Sequence, residues 1–214
     1  MLLRFLVFAV FVPLASFGQS VEFGVKAGVP LSDAFETGTA PVPEYYYQST
    51  SATRRYTIGP VIELGLWHSF SMEFDVLYKR LGFDAMFLSV ASVFTRTVAN
   101  SWEFPILGKY RFLHMPALRP YVDGGVSFRR VSGVSSSMVA SAFGAQTSWT
   151  GTTSVTLNDR SSHGGAVGVG ADIHAWLLHI SPELRYTRWG ADRYLNPQLH
   201  SNQNQIETLV GIAF

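Results

Sequence analysis

The chain has 214 residues, of which only 14% are charged and another 14% are aromatic. An ordinary soluble domain has about 25% charged residues, and a low charge with many aromatic residues excludes a disordered chain. The formal net charge of +1 argues against a nucleic-acid-binding protein held by a dense basic field. Because there is no cysteine, a disulfide scaffold, a thiolate metal site and a cysteine nucleophile are all excluded.

The first 18 residues have the pattern of a secretory signal peptide. Arg4 precedes an uncharged, mostly apolar run from Phe5 to Gly18, and Ser16 with Gly18 forms a small-residue pair suited to cleavage. An N-terminal membrane anchor is the alternative, but the run is shorter than the roughly 20 residues that a spanning helix needs. The sequence therefore predicts a signal peptide over 1–18 and an exported chain over 19–214.

The remainder of the chain alternates apolar and polar residues with a period of two, which is typical of β-strands. Long and short connections also alternate, as in a transmembrane barrel with tight periplasmic turns and larger external loops. The longer predicted loops are 31–55, 85–99 and 132–162. The fold predicted for 19–214 is all-β, a single eight-stranded antiparallel up-and-down transmembrane β-barrel. Its predicted strands are 21–30, 56–67, 71–84, 100–112, 119–131, 163–176, 179–189 and 203–214.

The two faces of these strands differ sharply in chemistry. One face carries large apolar side chains, whereas the other mixes glycine with long ionic side chains. The interior of an eight-stranded barrel is only just wide enough for its own side chains, so we expect the mixed face to line the lumen and the apolar face to meet lipid. The predicted lumen ionic network comprises Glu22, Lys26, Glu63, Glu73, Asp75, Lys79, Glu103, Lys109, Arg111, Asp123, Arg129, Asp172, Glu183, Arg185 and Glu207.

Two interpretations of this ionic set stay open at the level of sequence. The favoured one is a salt-bridged plug that closes the barrel, because buried charges need partners. The other is a narrow path for ions or small solutes. Pro60, Pro105 and Pro182 fall inside predicted strands and cannot donate to a strand ladder, so we expect a bulge or local break at each.

Several segments resemble a known family. They are 119–128 (RPYVDGGVSF), 164–172 (GGAVGVGAD), 180–189 (ISPELRYTRW) and the ending 201–214 (SNQNQIETLVGIAF). In this order they are similar to the outer-membrane β-barrel domain family, small eight-stranded proteins such as the OmpA transmembrane domain and OmpX. The resemblance implies an outer-membrane location, and it implies that Phe214 belongs to a C-terminal sorting signal read by the insertion machinery. Members of this family do not share one activity.

Three arginines interrupt the apolar face. Arg80, Arg130 and Arg188 are each predicted near the outer end of a strand. Arginine there can pair with lipid headgroups or lipopolysaccharide phosphates. Alternatively, these side chains simply reach water or belong to the loops.

An enzymatic interpretation has one motif to support it. His179 and Ser181 are similar to the His-x-Ser pair of lipid A deacylase barrels, where the imidazole activates the serine. Here the pair is predicted at the periplasmic end with its side chains toward the lumen, and Pro182 follows where that family has asparagine. No catalytic residue is therefore predicted.

The remaining signals are weaker. Asp172, His174 and Glu183 could form a metal site, and the tyrosines at 45–47 could form either an adhesive external surface or interface anchors. The sequence predicts no metal and no cofactor.

The sequence as a whole favours a non-enzymatic outer-membrane protein with a filled lumen and external loops for surface contact or envelope integrity. A narrow pore and a lipid A-modifying enzyme are the alternatives. The expected partners are outer-membrane lipid with lipopolysaccharide, and the insertion machinery through the C-terminal strand, but no nucleic acid. The oligomeric state is left open.

Overall fold

The computed structural model describes residues 20–42, 45–113, 115, 118–142, 145–151, 161–175, 178–190 and 202–213. The predicted signal peptide and Phe214 lie outside these residues. The described elements are all strands: β1 Val21–Pro30, β2 Gly38–Val42, β3 Tyr45–Ser51, β4 Thr57–Trp67, β5 Phe70–Asp75, β6 Leu77–Leu88, β7 Ser92–Arg111, β8 Leu118–Ala142, β9 Ala145–Gly151, β10 Ser161–Ala175, β11 Leu178–Trp189 and β12 Asn204–Ala213. The described residues include no helix long and apolar enough to cross a membrane.

The strands close into a ring. Going around it, β1 pairs with β4, then β5 and β6, β7, β8, β10, β11 and β12, and every pairing is antiparallel. The pairing of β12 with β1, from Gly24 opposite Ala213 to Pro30 opposite Glu207, completes the circle. Because β5 and β6 together form one ring position, the ring has eight strands, and the predicted up-and-down barrel is confirmed.

Each proline lies in a continuous strand, and the break in the hydrogen-bond ladder appears in its pairing with an adjacent strand. β4 runs through Pro60 and β7 runs through Pro105, but the strand between them is interrupted at Val76, which separates β5 from β6. The Val76 amide donates to the Pro60 carbonyl oxygen at 3.0 Å. The pairing of β10 with β11 is likewise interrupted opposite Pro182. The expected local breaks are therefore present.

Two of the three predicted long loops are largely strands, so that prediction was wrong there. Residues 85–88 and 92–99 extend β6 and β7 into a hairpin closed at 89–91, and residues 132–142 extend β8 and pair with β9. The first loop also contains the hairpin of β2 and β3. These runs were missed because their apolar side chains do not alternate regularly with polar ones as in a membrane strand.

Together with β2 and β3, the extensions form a sheet beyond one end of the barrel, in the order β2-β3-β6-β7-β8-β9. We call it the external sheet. A tilted membrane strand needs only about 9–11 residues, whereas β7 has 20 and β8 has 25. Between Val98 and Asn100 the register of β7 against β8 shifts by one residue. Gly133 lies in the bulge there with φ of 61°, a left-handed conformation that favours glycine. We call this end of the barrel the long-loop end and the opposite end the short-turn end.

Candidate functional site: the barrel lumen

Alternation along each strand places the charged face inside. In β12, for example, Gln205, Glu207 and Leu209 are buried, whereas Ile206 and Val210 are exposed. All fifteen residues predicted for the lumen ionic network occupy those alternate strand positions whose side chains point inward, which we call the inward parity. The side chains of most of them are buried.

The centre of the lumen holds two cations among three acids. Arg185 donates to Glu183 at 2.6 Å, to Asp75 at 2.7 Å and to Glu73 at 3.0 Å. Lys26 pairs with Glu73, and with Glu183 at 2.8 Å. These five side chains come from β1, β5 and β11 and are at most 2% exposed. A charge this deeply buried is stable only when paired, and each charge of this cluster is paired with at least one opposite charge.

A second part of the network continues toward the short-turn end. Lys109 bridges Glu73 at 2.7 Å and Glu63 at 2.8 Å, and its ammonium lies 4.4 Å from the centre of the Tyr121 ring. Arg111 pairs with Glu63 and donates to Asp172 at 2.6 Å. The chain of ion pairs therefore connects β4, β5, β7 and β10 across the lumen.

A separate group lies toward the long-loop end. Lys79 pairs with Glu207, and with Glu103 at 2.7 Å, while Arg129 donates to Glu103 at 2.7 Å and stacks 3.8 Å over the Trp189 ring. Among the described residues, Arg129 pairs with one carboxylate, that of Glu103, and it also donates to the amide oxygen of Gln205. This group contains two acidic and two basic side chains, so its formal net charge is zero.

Two of the predicted network residues are placed differently. Glu22 lies at the short-turn end, one-third exposed, and contacts His179 at 3.3 Å. Asp123 is buried against Gly168, and neither of its carboxylate oxygens has a hydrogen-bond partner among the described residues. Lys109, its neighbour across the strand pair, is engaged by Glu63 and Glu73 instead.

Above the ionic groups, an apolar cluster caps the lumen at the long-loop end. Phe35 and Ala34 from the first loop are buried against Leu81 and Val131, and the rings of Phe35 and Phe83 meet edge to face at 5.3 Å. Backbone hydrogen bonds fix this loop: the Leu31 amide donates to the Ile206 carbonyl, and the Asn202 amide donates to the Ala34 carbonyl. We call this cluster the cap.

Below the ionic groups, the lumen opens into a cavity of about 280 Å³ at the short-turn end. Glu22, Arg119, His174, His179 and Ser181 line its outer part, and Lys26, Lys109 and Arg111 are among the residues that form its inner part. We call this cavity the vestibule. The vestibule, the ionic groups and the cap therefore follow one another along the lumen from the short-turn end to the long-loop end.

The outward face carries the apolar residues. Those with more than a third of their surface exposed include Val21, Phe23, Val25, Ile58, Ile62, Phe104, Val122, Val126, Phe128, Val167, Val169, Leu184, Ile206, Val210 and Ile212. A soluble barrel would bury these side chains and expose its charges. Here the apolar side chains are exposed and the charged ones are buried, and the exposed apolar side chains lie all around the ring. The molecule is a transmembrane β-barrel.

Arg80, Arg130 and Arg188 lie on this outward parity, as predicted, but not all of them lie at strand ends. Arg80 is in the first part of β6 and Arg130 is in the middle of β8, because both strands continue into the external sheet. Only Arg188 is at the end of its strand. In the described part of the chain, no carboxylate lies within ion-pair distance of any of the three.

The His-x-Ser pair lies in the vestibule. Ser181 donates to Asp172 at 2.7 Å rather than to an imidazole, and His179 contacts Glu22. Among the described residues, no group of three or more histidines and carboxylates is placed to hold a metal ion. Of the loop tyrosines with a described side chain, Tyr46 is exposed, whereas Tyr47 is buried against Phe87.

Some residues that line the lumen are absent from the predicted network, although strand parity identifies them. Arg119 and Tyr121 share the parity of Asp123 in β8, and Trp189 shares the parity of Arg185 in β11. Tyr121 is fully buried and lies over Gly170, where any larger residue would collide with its ring. A strict count by twos from Asp123 and Arg185 identifies all three.

The chain is similar in structure to small outer-membrane β-barrel proteins. Outer membrane protein OprG from Pseudomonas aeruginosa is 9% identical, with 91% of this chain and 93% of that chain covered and a TM-score of 0.46. The N-terminal barrel domain of OprF from the same organism is 12% identical, with 90% and 97% covered and a TM-score of 0.34. Ail, the attachment invasion locus protein of Yersinia pestis, is 13% identical, with 91% and 95% covered and a TM-score of 0.39. No family model and no curated protein matches the sequence.

Proposed function

We propose that this chain is a non-enzymatic integral protein of the bacterial outer membrane. In this proposal its filled lumen does not conduct, and the sheet at its long-loop end serves surface contact or envelope integrity. The observation that carries the proposal is the position of the buried ion pairs at the centre of the lumen and of the cap at its long-loop end. A solute would have to break buried ion pairs of Arg185 and Lys26 and displace Phe35 before it could pass.

The external sheet supplies the contact surface. Its exposed apolar side chains include Met86, Leu88, Val90, Phe94, Met138 and Trp149. Exposed apolar and aromatic side chains grouped on a rigid element are typical of contact surfaces. A non-enzymatic role is supported by the Ser181 hydroxyl, which is bonded to a carboxylate rather than to a base.

Single-channel recording in planar bilayers tests the sealed lumen. We expect the refolded wild-type protein to insert without stable, long-lived currents, because buried ion pairs lie at the centre of the lumen. Stable currents whose ion selectivity changes in the Lys109→Gln or Asp123→Asn variant would overturn the proposal and favour a narrow pore. Mass spectrometry of lipid A, with and without the protein, tests the enzymatic alternative, and any change in lipid A would contradict the proposal.

Lipid and lipopolysaccharide are the proposed partners of the outward arginines. Replacing Arg80, Arg130 and Arg188 together by serine should lower the amount of lipopolysaccharide that copurifies, because three cations without a carboxylate partner are lost from the outer surface. The control replaces Arg54, Arg55 and Arg96, which changes the net charge equally. If both triple variants retain the wild-type amount, these arginines do not bind lipopolysaccharide.

Export and assembly complete the proposal. The apolar segment 1–18 would direct export and be cleaved, and the C-terminal segment that includes Phe214 would be read by the insertion machinery. β12 pairs with both β11 and β1, so its insertion closes the barrel.

A further inference from the structure

Among the described residues that line the vestibule, Arg119 is a cation without an ion-pair partner. Lys26, Lys109 and Arg111 in its inner wall are each paired with at least two carboxylates. Arg119 is opposite Asp172 in the register of β8 and β10. However, Asp172 accepts from Arg111 and from Ser181, and no described carboxylate lies within ion-pair distance of Arg119.

Two buried nitrogen atoms of this wall have no hydrogen-bond partner among the described residues: Nε of Arg119 and Nδ1 of His174. Both residues line the vestibule, and they are close enough for their charges to interact. The centre of the His174 ring lies 4.3 Å from that of the His179 ring, and the two rings are tilted by 56°. A guanidinium N–H can only donate, and an imidazole nitrogen can donate when it carries the proton.

Among the described residues, the vestibule wall offers Arg119 no carboxylate partner. Both nearby carboxylates are already engaged, Glu22 by His179 and Asp172 by Arg111 and Ser181. An arginine that lines an open cavity without a carboxylate partner can bind an anionic group there. A volume of about 280 Å³ is just below the roughly 300–1,000 Å³ of pockets for drug-sized ligands, which indicates a small solute.

We propose that the vestibule binds a small oxyanion, a phosphate or carboxylate group, through Arg119 and His174. The guanidinium supplies the charge and the imidazole supplies a second hydrogen bond, which together fix an oxygen-bearing group against the wall. In the proposed membrane orientation the solute enters from the periplasm. The site does not require a conducting lumen, because its floor is the paired cluster around Lys26.

Solution NMR of the refolded full barrel in detergent micelles tests the site directly. Inorganic phosphate and acetate are titrated separately at constant ionic strength, while the Nε–Hε signal of Arg119 and the backbone amides of Ser181 and Gly211 are followed. We expect a saturable shift of these signals with at least one anion. The anion that saturates distinguishes a phosphate ligand from a carboxylate ligand.

Variants separate binding from general effects of salt. Arg119→Gln should weaken the dissociation constant by on the order of tenfold or more, as loss of a charged hydrogen bond implies, and His174→Gln should weaken it less. Arg96→Gln, in the exposed external pair with Asp84, should bind like wild type. The proposal is overturned if the wild-type shifts never saturate, equal those caused by chloride, or persist unchanged in Arg119→Gln. The wild-type titration decides the first two outcomes even if a variant fails to fold.

Discussion

Replacing Glu73 by glutamine should destabilise the barrel by about 3–5 kcal/mol, the range for breaking a buried ion pair. Glu73 is 2% exposed and contacts three cations, Lys26, Lys109 and Arg185. An amide leaves these charges underpaired in a site where the side chains are almost fully buried. The free energy of unfolding, from urea titration of the folded protein in lipid vesicles, measures the effect.

A matched control lies outside the lumen. Asp84 pairs with Arg96 at 2.8 Å on the external sheet, where the arginine side chain is 57% exposed. Pairs of this kind contribute about 0–1 kcal/mol, so Asp84→Asn should change the free energy of unfolding by less than about 1 kcal/mol. If Glu73→Gln proves as mild as this control, the central ion pairs do not hold the barrel together.

Replacing Val169 by arginine should cost about 2–4 kcal/mol in lipid, the range for a cation on the lipid face near the middle of the bilayer. Val169 is in the middle of β10, 52% exposed, and its cross-strand neighbours Val122 and Leu184 belong to the same apolar face. The unfolding free energy in vesicles gives the cost.

The same substitution at Val90 separates membrane effects from the chemistry of arginine. Val90 is 80% exposed in the turn between β6 and β7, at the long-loop end, and Val90→Arg should be nearly neutral. Equal effects at the two positions would mean that the apolar face of β10 does not contact lipid.

The order of the strands, and which of their side chains point inward, could be predicted from the sequence because one physical constraint acts on the whole ring. Each membrane strand must put apolar side chains outward and leave the inside to small or paired polar ones, so Val167 and Val169 alternate with Gly168 and Gly170. That alternation identified all eight ring positions. It also indicated that the ionic side chains share one interior.

The external sheet and the cap could not be predicted in this way. Residues 85–99 and 132–142 carry no membrane pattern, and their strand structure follows from pairing with each other rather than from burial. The cap depends on Phe35, an isolated aromatic residue in a polar loop that reaches Leu81 and Val131 only in the folded chain. Parity likewise places Asp123 inside without indicating that Lys109 turns to other partners.

The most direct test of a closed membrane barrel is the electrophoretic mobility of the protein in outer-membrane fractions, heated and unheated in SDS. In a closed barrel the backbone groups of the membrane segment are paired internally, so the folded form should resist SDS and show a heat-dependent shift in mobility. Recovery from the soluble periplasm with no shift would contradict the account. In that case the charged face would point to water and the apolar face would line an internal cavity.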